Sequence, residues 1–225
     1  AEALATLTLS GGKLVITAAR ARFTLPTLPV DDFPIMPAPD GDVGFELCAA
    51  AWTLLIDSVR GAMANEEARY YLNGIHLHAL KDGRLSAAAT DGHRLAVYRM
   101  AMPDGGAALP PIILGRKAVG VVASLLDDIK PPKDGGESPL VSFETDGRKA
   151  LFDIEGVTLI TKLIDGQFPD YTRVIPTGND KQALFDPAQL AEAADRVAVV
   201  STEKTRAIKA LFERGDMLQL EVTSP

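Results

Sequence analysis

The densest polar cluster in the chain is Thr90-Asp91-Gly92-His93-Arg94, placed where a strand-like run over 85–89 ends. An aspartate two residues from a histidine could seat an imidazole for acid–base work. His76 and His78 alternate along a strand, so they share one face and could join His93 around a metal ion. A plainer reading stands beside both: a polar strand-end turn in which Gly92 supplies a backbone angle that other residues resist. A second cluster runs from Gln167 through Phe168, Pro169, Asp170, Tyr171, Thr172, Arg173, Val174 and Ile175 to Pro176. It reads either as a connector packed on a core or as the wall of an apolar groove with Arg173 at its lip. A third cluster spans 65–71, where Arg69 beside Tyr70 and Tyr71 could touch phosphate and sugar. Its plainer reading is a strand whose two rings alternate between core and surface. No Gly-rich phosphate loop, G-x-S-x-G elbow or H-E-x-x-H pair is present, and no two carboxylates are obliged to converge.

Composition bounds what those clusters can serve. At about 100–200 residues per domain, 225 residues allow one or two domains. With 47% apolar and 24% charged residues, the chain is globular and too apolar for disorder. Thirty acids against 23 bases give a net charge of −7, which excludes a uniformly basic coat but not a local basic face. One cysteine, Cys48, excludes an intramolecular disulfide and suits a reducing compartment. The absence of a basic-then-apolar leader and of any run of about 18 apolar residues points away from secretion and membrane spanning. Three histidines and no C-x-x-C pair argue against a zinc finger.

Hairpin signals punctuate the strand-like runs. Residues 6–9 and 14–17 flank Gly11-Gly12, 75–80 and 85–89 flank Asp82-Gly83, 140–144 and 150–154 flank Asp146-Gly147, and 210–213 and 217–222 flank Gly215-Asp216. Three stretches read as helices. The first sets Leu47, Ala51, Leu54, Ser58 and Ala62 on one face with Leu55 and Val59 alongside. The second gathers Val119, Val122, Ala123 and Leu126. The third opens with Asp186 as N-cap and Pro187 at the first helical position, and aligns Leu190, Ala194 and Val197. Strands mixed with helices in this order predict an α+β fold built on antiparallel sheet.

The chain also repeats itself. The stretches 12–34 and 147–169 both run turn, strand, turn, strand and close on Phe-Pro, the two Phe-Pro pairs lying 135 positions apart (168 − 33). An Ala-rich helix followed by a polar segment occurs twice, bringing Arg69 and Arg206 into correspondence 137 apart (206 − 69). The expected division is the end of one copy over 1–42, a whole copy over 43–180 and the start of a third over 181–225. A chain with two incomplete copies is expected to be a fragment.

The strings RYYLNGIHLH (69–78), ATDGHRLA (89–96) and DGQFPDYTRVIP (165–176), in this order and spacing, closely resemble the bacterial DNA polymerase III sliding clamp, the beta subunit. The segment ARARFTLPTLPVDDFP (19–34) resembles the end of that family's first domain. The resemblance implies the DNA-clamp fold, with internally repeated domains. It implies a homodimeric ring around double-stranded DNA, helices lining the hole, no catalytic residues, no cofactor and no metal. It also implies partners that dock through clamp-binding peptides: the replicative polymerase subunit, the clamp loader and repair polymerases, in the bacterial cytoplasm at the nucleoid.

Carried over position by position, the peptide groove comprises Leu72, Thr90, Gly92, His93, Arg94, Leu95, Pro169, Arg173 and Val174. Apolar walls with few polar groups suit a linear peptide. The DNA-facing residues are Arg69, Tyr70 and Tyr71, with Arg60, Arg116, Lys117 and Arg196 as helix-borne candidates. Two positions depart from many relatives: Thr205, where the family places an aromatic lip, and Glu66, where a neutral amide is common. Competing readings are a truncated clamp remnant that forms no ring, and an enzyme using Asp91 and His93 with His76 and His78.

Overall fold

A computed structural model describes residues 4–41, 43–129, 136–200, 207–212 and 217–222. Gly11 and Gly12 both take positive φ, 59° and 72°, and fold β1 (Ala5–Ser10) straight back on β2 (Lys13–Ala18). Ala19, at φ 51°, turns β2 into β3 (Ala21–Pro26). The register sets Leu7, Ile16 and Phe23 in one row and Leu9, Leu14 and Leu25 in the next. Because side chains alternate along a strand, one face of this sheet is entirely apolar.

The next elements repeat a β-α-β-β-β order. First come β4 (Val43–Cys48), α1 (Ala49–Arg60), β5 (Gly74–Ala79), β6 (Arg84–Thr90) and β7 (Leu95–Ala101). Then come β8 (Ile112–Gly115), α2 (Arg116–Asp127), β9 (Leu140–Thr145), β10 (Lys149–Ile154) and β11 (Val157–Lys162). Each half lends its first strand to the other: β4 pairs with β9, and β8 with β5. Two antiparallel four-stranded sheets result, ordered β7-β6-β5-β8 and β11-β10-β9-β4. The core lies between them and the two helices. Phe45, Trp52, Phe143 and Phe152 form its aromatic centre, with ring centroids 4.9–6.0 Å apart. On α2 the buried residues include the expected Val119, Val122, Ala123 and Leu126.

Helix α1 differs from its sequence reading. Leu47 belongs to β4, and the buried face is Trp52, Leu55, Ile56 and Val59, while Leu54 is 53% exposed. Leucine stands on both sides of this helix, so apolar spacing alone admits two faces, and Trp52 decides between them. Strands β4 and β8 also have no hairpin glycine to announce them. The helix expected over residues 47–62 is thus a strand followed by a shorter helix.

The internal repeat is visible in backbone detail. Strands β1–β3 match β9–β11 at an offset of 136: Leu7↔Ile16↔Phe23 corresponds to Phe143↔Phe152↔Leu159. Ala19 and Glu155, also 136 apart, are the two non-glycine residues at positive φ among those described. The Phe-Pro spacing of 135 therefore includes a one-residue difference after the third strand.

The chain divides into two compact units, Ala1–Tyr171 and Thr172–Pro225. The boundary drawn from sequence after residue 42 falls inside the first unit, and that after 180 inside the second. Within the second unit, Asp186 caps α3 (Pro187–Ala198): its Oδ1 accepts from the N–H groups of Ala188 and Gln189 at 2.8 and 3.1 Å. Leu190, Ala194 and Val197 are half-buried together on this helix. Strands β12 (Lys209–Phe212) and β13 (Leu218–Glu221) pair antiparallel. Thr205, Arg206 and the Gly215-Asp216 turn lie outside the described residues. Among the described residues no helix is long and apolar enough to cross a membrane.

Candidate functional site

The turn joining β6 to β7 is held from inside. Thr90 Oγ1 donates to the Arg94 carbonyl at 2.7 Å and accepts from the Gly92 N–H at 3.1 Å. Asp91 Oδ1 accepts from the N–H groups of His93 and Arg94, each at 3.0 Å, and Oδ2 takes the Arg94 guanidinium at 2.9 Å. Burial would raise the Asp91 carboxyl, but these donors outweigh it and hold the group at about 2. Asp91 therefore binds the backbone of His93 and not its ring, so the acid–base pair considered above is not formed. The same turn recurs at 145–149, where Thr145 Oγ1 reaches the Lys149 carbonyl at 2.7 Å and Asp146 Oδ1 takes the Arg148 and Lys149 N–H groups. An Asp-Gly turn of this kind is structural wherever it occurs. What sets the first apart is its cover.

That cover is Arg69. Its Nη2 donates to the Asp91 carbonyl at 3.2 Å, and Glu66 grips the same guanidinium at 2.7 Å. Gly92 stands at φ +88°, and a Cβ there would lie 2.5 Å from Arg69 Nη1. Arg69 ends an irregular stretch braced by Asn73, whose side chain bonds both the N–H and the carbonyl of Glu66. The plainer reading of the 65–71 cluster as a strand does not hold: Tyr70–Leu72 is a 3₁₀ turn, because the Leu72 and Asn73 N–H groups close back on Arg69 and Tyr70. Leu72 is buried beneath this turn, and Leu95 is half-buried where β7 begins. Gly92, His93 and Arg94 are exposed. Of the carried-over groove residues, Thr90 and Gly92–Leu95 thus share one turn, and Leu72 lies in the separate 3₁₀ turn that follows Arg69. Sequence reading missed Arg69 as the lid of the Thr90–Leu95 turn, since 22 residues separate it from Asp91.

Two pegs hold the segment 168–171. Phe168 stacks on His76 with centroids 4.7 Å apart and planes 8° from parallel. Tyr171 Oη lies 2.9 Å from His78 Nε2 and 3.0 Å from Ser86 Oγ. Between the buried pegs, Pro169 and Asp170 are exposed. Arg173 and Val174 follow in the 3₁₀ turn Tyr171–Val174, both exposed, and belong to the second unit. His76 and His78 stack on each other at 4.6 Å, sharing a face as predicted. Among the described residues no group of three His, Cys, Asp or Glu side chains is placed to hold a metal ion.

The basic candidates are differently engaged. Arg116 caps the segment after α1, giving three hydrogen bonds of 2.6–3.0 Å to the Met63 and Ala64 carbonyls. This puts the first turn of α2 beside the end of α1, near Arg60, which pairs with Asp57 at 2.9 Å. Lys117 is exposed one residue on, and Arg196 is exposed on α3 in the second unit. Tyr70 Oη donates to the Asp165 carbonyl at 3.2 Å, and its ring packs edge-on against Tyr71.

Comparison with known proteins decides the family. Residues 47–170 match the family model for the DNA polymerase III beta subunit, central domain. The chain belongs to this family. It is 40% identical over 206 residues to the beta sliding clamp of Caulobacter vibrioides, covering 90% of this chain and 53% of that protein. It is 35% identical over 224 residues to the Pseudomonas putida beta sliding clamp, covering 100% and 58%. The crystal structure of the Bartonella birtlesii sliding clamp bound to griselimycin matches 99% of this chain and 58% of that one, with a TM-score of 0.87 and 36% identity. The DNA polymerase III subunit beta structure from Pseudomonas aeruginosa gives a TM-score of 0.81 at 34% identity, over 97% and 58%. The beta-subunit fold is therefore the α+β arrangement described above. The chain spans a little over half the length of the curated relatives it matches.

Proposed function

We propose that this chain is part of a non-catalytic processivity clamp: a homodimeric ring in the intact protein that encircles duplex DNA and tethers replication and repair enzymes. The division into the end of a first domain (1–42), a central domain (43–180) and the start of a third (181–225) belongs to this reading. So does action at the bacterial nucleoid, in the cytoplasm. The observation that carries the reading is the Thr90–Leu95 turn. Its polar groups are spent internally and its outer surface is ordered beforehand. Binding an extended peptide there orders little that is loose, which lowers the entropic cost of association. Leu95 supplies apolar wall, and the buried Leu72 with Pro169, Arg173 and Val174 are the further residues assigned to the groove.

The DNA contacts in this reading are weak and sequence-independent, from Arg69, Tyr70, Tyr71, Arg60, Lys117 and Arg196. Arg116 acts mainly as a brace. A net charge of −7 is compatible with this, since a closed ring stays on DNA by topology rather than by affinity.

The test is titration of a fluorescent clamp-binding peptide into the chain and its variants. Leu95→Ala should weaken binding by about 1–3 kcal/mol, as at an interface hot spot, with circular dichroism unchanged. Equal affinity for Leu95→Ala and wild type would place the groove elsewhere. Magnesium-dependent turnover of nucleotides or DNA that survives rigorous purification would overturn the non-catalytic assignment.

A further inference from the structure

His76 and His78 are half-buried titratable groups that neither peptide nor DNA contact employs. Their tautomers follow from their partners. A carbonyl can only accept, so His76 Nδ1–H donates to the Ile112 carbonyl and His78 Nδ1–H to the Ala79 carbonyl, both at 3.2 Å. His78 Nε2 then carries a lone pair and accepts from Tyr171 Oη–H, whose oxygen in turn accepts from Ser86 Oγ–H. His76 offers Phe168 a flat ring face. Two neutral imidazoles thereby seat both pegs of one short segment, and the two residues between the pegs, Pro169 and Asp170, face solvent.

We propose that His76 and His78 are positioning residues, an acid-sensitive latch that seats Phe168 and Tyr171 and so fixes Pro169 in the peptide groove. The link to the groove rests on the function proposed above, whereas the latch itself rests on the hydrogen bonds and stacking alone.

The surroundings favour the neutral rings. Around His76 stand Ala88 on β6, Ile113 on β8 and Phe168, none of them charged. Around His78 stand Ser86 on β6, then Arg99 on β7 in the same cross-strand row, and Tyr171. Asp170, the acid between the pegs, has an interaction of its own. Among the described residues in the cross-strand rows of His76 and His78, the charged side chain is Arg99, a cation. Burial, then the neighbouring His78, push His76 down to about 4 against the opposing pull of the Ile112 carbonyl. Burial also lowers His78, with Arg99 adding to it and the Ala79 carbonyl opposing. A histidine depressed in the folded state contributes stability that is full above about 6.5 and is lost as pH falls toward about 4. A single proton on His76 could sit over the Phe168 ring. Two protons would set like charges 4.6 Å apart in a half-buried stack.

The experiment is hydrogen exchange by mass spectrometry on the full 225-residue chain from pH 7.5 to 4.5, corrected for intrinsic exchange, with peptide affinity measured in parallel. Fluorescence of Trp52, the single and fully buried tryptophan, reports whether the core stays folded. A His76→Phe/His78→Gln double variant keeps a stacking ring and an acceptor for Tyr171 but cannot titrate. The expected result is a rise of about tenfold or more in exchange at Phe168, Asp170 and Tyr171 in wild type, the amount expected from one unit of pKa difference. Trp52 should be unchanged and the double variant flat. Peptide affinity should fall with the same pH midpoint in wild type only. Flat exchange in wild type, or an equal rise in the double variant, overturns the latch. An opening latch with unchanged peptide affinity overturns Pro169 as groove wall and leaves the latch standing.

Discussion

At Gly92 two demands meet: a φ of +88° that a side chain resists, and a guanidinium where a Cβ would sit. Gly92→Ala should therefore cost about 1–3 kcal/mol of local strain and displace Arg69. Weaker peptide binding together with a thermal midpoint lowered by about 2–4 °C per kcal/mol of strain would be the signature. Asp91 makes a separate prediction. Its carboxyl is depressed to about 2 by the turn's own donors, so its contribution to the turn is complete above about 4 and lost as pH falls toward 2. Asp91→Ala should reproduce at neutral pH the loosened turn that wild type shows only in strong acid. Exchange of the His93 and Arg94 amides checks this, and equal protection in variant and wild type would show that Thr90 alone holds the turn. The meaning of these residues was only half legible in the sequence. Thr-Asp-Gly announces a turn, and it announces one equally at Thr145. Nothing local says that Arg69 covers one of the two.

At the scale of elements, Arg116 shows how a basic residue can belong to the fold. It satisfies the Met63 and Ala64 carbonyls after α1, and Arg116→Ala would strand them. We expect a loss of about 1–3 kcal/mol in urea unfolding, larger than any change in DNA affinity. Lys117→Ala, at an exposed neighbouring site, should do the reverse and shift only the salt-dependent DNA term. Glycine turns made the hairpins readable, because positive φ is a local property that a sequence can carry. The face of α1 was not readable, because Leu54 and Leu55 offer adjacent apolar stripes and only packing against Phe143 and Phe152 selects the one with Trp52. The partial burial of His76 and His78 was hidden for a similar reason. The rings that cover them arrive from residues about 90 positions along the chain.

For the molecule as a whole, equivalent rows of the repeat differ: one sheet is covered and the other is not. In the central copy the row Phe143–Phe152 is fully buried beneath Trp52 on α1. The matching row in β1–β3 is Leu7, Ile16 and Phe23, and here Leu7 is 61% and Phe23 57% exposed, with Leu9 beside them at 71%. A contiguous apolar face of this kind is uncommon on an isolated soluble protein. Each 100 Å² of it removed from water contributes about 2.5 kcal/mol, against an association cost of about 4–15 kcal/mol. The isolated 225-residue chain should therefore self-associate weakly and bind a dye specific for apolar surface. Replacing Leu7 and Phe23 by serine, on the face away from Thr6 and Arg22, should lower both without altering the Trp52 environment. Sedimentation velocity over a hundredfold range of concentration is the measurement. A wild-type chain that stays monomeric throughout, and binds the dye no better than the variant, would mean that this face is covered in solution by some other part of the protein.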